Sequence, residues 1–198
     1  MARLRNFFRV KTELDFSILT RSTATMRSPK FNEGFSLIEL LLVVAMIGII
    51  SAIAVPNLLS SKRSANEAAA LSALRVISSG EATYRATSGG GNYGDLGTLA
   101  GQSFVDAAVG AATIAGPGTP RTGFLFSAAS VAGVGVPAFD AKAQPLLHTS
   151  VDILFATGSR SFYVNEMGVT YFNTTATAPT CSANALRAVA GGAPLNSN

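Results

Sequence analysis

The sequence has one cysteine, Cys181, one histidine, His148, and no tryptophan. One thiol excludes an intramolecular disulfide, and an exported chain can do without one, because oxidising compartments allow such bridges without requiring them. A lone histidine with no Cys or His cluster leaves no zinc-site pattern. His148, in PLLHTS, has no Ser-His-Asp or Cys-His arrangement to serve, so it reads as a surface or hydrogen-bonded loop residue. Charge is scarce as well, at 13% of residues. Asp95, Asp106, Asp140, Asp152 and Glu166 are spread without a spacing that pairs two carboxylates, and GGGNYG lacks the lysine of a phosphate-binding loop. No enzyme activity, metal or cofactor is expected.

The charge that is present is unevenly placed. The net charge is +4, and up to Gly34 there are seven Lys/Arg against three acids. From Phe35 onward the signs balance at eight each. The downstream cations Arg121, Lys142, Arg160 and Arg187 are isolated, which argues against a nucleic-acid surface. The positive excess instead precedes an apolar run, where it would hold that end of the run in the cytoplasm.

That run is FSLIELLLVVAMIGIISAIAVPNLL, Phe35 to Leu59, whose only polar side chains are Ser36, Glu39, Ser51 and Asn57. As a helix at about 1.5 Å per residue it crosses the roughly 30 Å of bilayer hydrocarbon. Helix signals continue from Ser61 to Arg85. There Asn66, Ala70, Ala73, Ile77, Gly80 and Tyr84 form a small or apolar face, and Lys62, Arg63, Glu67, Arg75, Glu81 and Arg85 form the expected water-facing surface. Together the two parts predict one helix of about 50 residues. A kink or local opening is expected between Gly48 and Pro56, because Pro56 has no amide proton and crowds the preceding turn.

Beyond the glycine-rich stretch Ser88 to Gly97, the composition changes. GFLFSAASV (123–131), VDILFAT (151–157), RSFYVNE (160–166) and GVTYFNT (168–174) read as short strands, the last two as a hairpin with Gly168 in its turn. GSRS (158–161) reads as a turn into a strand. Phe162 and Val164 should face one way and Tyr163 the other, with the small-residue helix face covering the apolar side of the sheet. Residues 176–198 read as a mobile tail. The expected fold class is α+β: a long N-terminal helical spine on a small antiparallel β-sheet head.

Gly34, the aromatic start at Phe35, the lone acid Glu39 inside the apolar run and the downstream Pro56 resemble the class III signal sequence of the type IV pilin family, which includes type II secretion pseudopilins. The resemblance implies a leader at 1–34, a transmembrane or filament-core helix at 35–59, an amphipathic helix at 60–87, an αβ loop and sheet at 88–175, and a tail at 176–198. It implies cleavage after Gly34 by a prepilin peptidase that also N-methylates Phe35, with the leader basics Arg27 and Lys30 keeping the site on the enzyme's side. Glu39 would be the assembly residue, and Gly48 and Pro56 the places where the helix bends or loses helicity. Translation starts at Met1 or at Met26, whose MRSPKFNEG is a complete basic leader by itself.

The partners implied are copies of the chain in a helical filament, the peptidase and methyltransferase, the inner-membrane assembly platform, minor pilins, and the lipid bilayer before assembly. The chain would stand single-pass in the inner membrane, N-terminus cytoplasmic, and then in an extracellular surface filament. A pseudopilin or a minor pilin fits the same residues. Unlike many pilins, the chain lacks paired cysteines to tie down its C-terminal loop. The chemistry of the pattern is coherent. A carboxylate in hydrocarbon costs a few kcal/mol unless matched, and cleavage would create an α-amino group on Phe35, of reference pKa about 8. Pairing Glu39 with a neighbour's amine would set axial register, because a buried ion left alone costs on the order of 3–5 kcal/mol. Gly34, with no Cβ, suits a scissile position. The bland alternative is a signal anchor with an acid at the membrane boundary.

Overall fold

The computed structural model describes residues 34–131, 135–150, 154–182 and 188–195. They fall into two units that divide within the first helix, between Met46 and Ile47. The first unit is the apolar start of α1, a 50-residue helix from Leu37 to Ala86. Every residue from Gly34 to Leu58 is exposed, and α1 is long and apolar enough to cross a membrane. The helix is unbroken through Gly48 and Pro56, so the local opening expected there is absent. Pro56 removes one donor from the ladder, and the remaining bonds keep the turn helical.

The second unit packs the later turns of α1 against an antiparallel sheet. The strands are β1 (Phe124–Val131), β2 (Ala138–Pro145), β3 (Ser161–Asn165), β4 (Thr170–Asn173), β5 (Thr180–Cys181), β6 (Val189–Ala190) and β7 (Ala193–Pro194). The main sheet has the order β1-β2-β3-β4-β7, and β5 pairs with β6 separately. The α+β class is as expected. The β3–β4 hairpin pairs Phe162 with Phe172 and Tyr163 with Tyr171, and Gly168 supplies the left-handed turn residue at φ +74°. Two short helices precede the sheet, α2 (Leu96–Gly101) and α3 (Ala107–Ala111). The carboxylates of Asp95 and Asp106 cap them by accepting from the amides of Thr98 and Ala108.

The core joins Ala70, Ala73, Leu74 and Ile77 of α1 to Phe124, Phe126, Phe139, Phe162 and Val164 of the sheet, with Leu99 and Val109 closing one side. Small residues let the backbones approach: a Cβ at Gly80 would lie 3.1 Å from the Phe104 carbonyl oxygen. This is the expected cover of the sheet by the helix.

Four sequence readings are corrected. AFDAKAQP, not read as a strand, is β2, fully paired with β1. The expected strand at 151–157 is not found: residues 151–153 lie outside the described residues, and Leu154 and Phe155 form a turn. The described parts of the expected tail, 176–182 and 188–195, are folded: β7 extends the sheet beside β4, and Ser161 Oγ bonds the carbonyl oxygens of Thr175 and Thr177, while 183–187 and 196–198 lie outside the described residues. Consequently β3 is buried on both faces, Tyr163 included. Finally, Glu67 and Glu81, assigned to the water-facing side of α1, are buried.

Candidate processing and assembly site

Gly34, Phe35 and Ser36 precede α1 without helical structure. The Ser36 carbonyl starts the helix by accepting from the amides of Glu39 (3.1 Å) and Leu40 (3.3 Å). Nothing comes within 4 Å of the place a Cβ would occupy at Gly34, and Phe35 is 75% exposed. Among the described residues, nothing crowds the Gly34 Cα or covers the Phe35 side chain.

Glu39 stands in the first turn of α1, exposed. An acid there faces the positive end of the helix macrodipole, which favours its charge by about 0.3–1 kcal/mol. That is less than the cost of a carboxylate in hydrocarbon, so the dipole alone does not account for it. Among the described residues no ion pair or side-chain hydrogen bond engages it. Phe35 and Glu39 are thus four residues apart in sequence, Phe35 just before α1 and Glu39 in its first turn. Gly48 and Pro56 are not part of this cluster and lie further along the helix, with open space around Gly48. Arg27 and Lys30 lie outside the described residues.

A second group of residues, which the sequence reading placed in water, ties α1 to the head. Glu67 accepts from the amide (2.8 Å) and hydroxyl (2.7 Å) of Ser159, and its Oε2 pairs with Arg160 at 2.7 Å. Burial raises its pKa, but the Ser159 bonds and the Arg160 bond and charge together outweigh burial and hold it below the ordinary value. GSRS is therefore the turn into β3, as expected, and also the docking point on α1. Glu81, 0% exposed, accepts from the Gly94 amide at 2.9 Å, while its Oε1 has no partner among the described residues. Burial, opposed by the Gly94 bond and reinforced by the Asp95 charge, pushes its carboxyl up to about 7. The missed signal was spacing: Glu67, Ala70, Leu74, Ile77 and Glu81 follow one 3-4-3-4 stripe down the buried face.

His148 is buried, with its Nε2 bonded to the Ser159 carbonyl oxygen at 2.9 Å and its Nδ1 beside Ser150 Oγ at 2.8 Å. It is a hydrogen-bonded loop histidine. Cys181 is a free thiol, 3.9 Å from Asn165 Nδ2 behind β3. No group of three or more potential metal ligands occurs among the described residues.

Residues 30–55 match the family model for the prokaryotic N-terminal methylation motif. The chain is also 50% identical over 42 residues to the type IV wide pilus major component PilA4 of Thermus thermophilus. That match covers 21% of this chain and 30% of the relative. No solved structure matches the chain. The chain thus carries a type IV pilin-like N-terminal methylation motif, and the matched residues contain Gly34, Phe35, Glu39 and Gly48.

Proposed function

We propose that this chain is a structural, non-enzymatic subunit of a type IV pilus, cut after Gly34, N-methylated on Phe35 and polymerised through the apolar half of α1. The observation that carries this reading is the methylation motif at 30–55, which runs into an unbroken apolar helix exposed from its start to Leu58. Such a surface, from Phe35 to Leu58, has to be covered, first by lipid and then by the same helices of neighbouring copies. In that bundle Glu39 meets the new amine of an adjacent subunit and sets register. The processing enzyme, the inner-membrane assembly platform and minor pilins are the partners that this route requires.

The likeness to a protein described as a major pilus component supports a pilus role over a secretion pseudopilus. Deleting the gene and shearing fibres from the surface of the parent cells tests this. The chain is expected in the fibre fraction, with fibres lost on deletion. Loss of exoprotein release on deletion, with no surface fibre containing the chain, would instead make it a secretion component.

A further inference from the structure

The connection from β2 to β3 carries apolar side chains where a solvated turn would be polar. Leu146 and Leu147 leave β2 exposed, and further on Leu154 and Phe155 are 61% and 72% exposed. The two ends of the connection are bonded to each other at Leu147 and Thr157. The Thr157 amide donates to the Leu147 carbonyl oxygen at 2.8 Å, and the Leu147 amide donates to Thr157 Oγ1 at 3.1 Å. This neck is pinned to α1, because Asn66 Nδ2 donates to the Thr157 carbonyl oxygen at 3.0 Å and the Ser159 amide donates to Glu67.

The topology fixes which way this end of the head faces. Phe124 and Pro145, at one end of the β1–β2 pair, lie against Gly158, beside the Asn66–Glu67 level of α1. At the other end, Phe139 packs on Tyr93, which Arg85 covers. The chain therefore leaves β2 at Pro145 travelling from the Arg85 level toward the Asn66 level. That is toward the turns of α1 where Ile47, Ile50, Ile53 and Leu58 are exposed. From Leu59 to Asn66 the helix rises about 10 Å, comparable with the headgroup layer outside the hydrocarbon. Lys62 and Arg63 lie on that short stretch. Among the described residues after α1, the other large exposed apolar side chains, Val136, Met167 and Val169, lie beyond the opposite ends of the strands.

We propose that Leu146, Leu147, Leu154 and Phe155 form a second, shallow membrane contact that seats the head on the bilayer crossed by α1. This rests on the reading of α1 as a membrane anchor before assembly. The lipid surface is the occupant because the patch continues the apolar surface of α1 across a short basic step. Apolar and aromatic side chains beside Lys and Arg suit the boundary between headgroups and acyl chains.

The absence of tryptophan makes the test direct, since one substitution supplies a unique fluorophore. Three full-length variants, F155W, I50W and V136W, are reconstituted in phosphatidylcholine–phosphatidylglycerol vesicles whose acyl chains are brominated near the headgroup or near the bilayer centre. F155W is expected to emit at shorter wavelength than V136W and to be quenched by the shallow bromines, I50W to be quenched most by the deep ones, and V136W by neither. A quenched I50W with an unquenched F155W overturns the second contact and leaves the anchor standing. An unquenched I50W overturns the anchor and the contact together. A blue shift of F155W that follows protein density rather than bromine assigns the patch to a second copy and overturns the lipid contact.

Discussion

The Glu81 carboxyl is enclosed where α1 meets the loop before α2, with one oxygen bonded to the Gly94 amide and the other unmatched. Its pKa rises from 4.5 to about 7 in the folded protein. The folded state therefore keeps a proton that the unfolded chain releases from pH 4.5 upward, so stability falls as pH rises through this window and levels off above it. At about 1.4 kcal/mol per unit, the loss is on the order of 3 kcal/mol. Glu81→Gln, neutral at every pH, should remove this slope. The check is unfolding of the full chain in detergent at pH 5 and pH 8, followed by tyrosine near-ultraviolet dichroism; an unchanged slope contradicts the burial argument. Glu67 acts with the opposite sign. Its folded pKa is lowered, so its contribution is present above about 4.5 and lost as pH falls through the folded value. Arg160 is 41% exposed, which weakens the ionic part. Glu67→Ala should still cost about 2–3 kcal/mol, because it strands the Ser159 and Arg160 amides. The same unfolding measurement at pH 7 tests it.

Among the elements, β3 shows why a strand can be buried on both faces in so small a head. Phe162 and Val164 enter the core, while Ser161, Tyr163 and Asn165 on the other face are covered by the returning C-terminal segment. Tyr163 donates to Asp140 on β2 at 2.7 Å. Tyr163→Phe should cost about 1.5–3 kcal/mol, the range for a bond to a charged acceptor. It should also speed proteolysis within residues 176–195, and unchanged digestion would separate Tyr163 from the holding of that segment. Periodicity made α1 legible, and the aromatic and β-branched residues of the β3–β4 hairpin did the same for that pair. β2 was not legible, because AFDAKAQP has weak strand propensity and is held by pairing on both sides. VDILFAT misled for the converse reason: its Leu154 and Phe155 are apolar but stand in a turn. Glu67 and Glu81 were misplaced because charge was read as exposure, although their spacing put them on the buried stripe. The N-terminal methylation motif was legible as a pattern, since Gly34, Phe35 and Glu39 need no tertiary contact to be recognised.

For the whole molecule, labour is divided between a head that packs on the later turns of α1 and an apolar end that the described residues leave exposed. Glu39→Ala removes the one acid from that end without touching the head core, so membrane insertion and head stability should be retained while surface fibres are lost. Quantifying sheared fibres against membrane-bound monomer checks this, and normal fibre yield would remove the register argument. The most direct measurement is the intact and N-terminal mass of the chain recovered from sheared surface filaments. The expected mass is that of a chain that begins at Phe35 and carries one added methyl group on its amine. A chain that performs its normal task in cells with the Gly34–Phe35 bond uncut would contradict it.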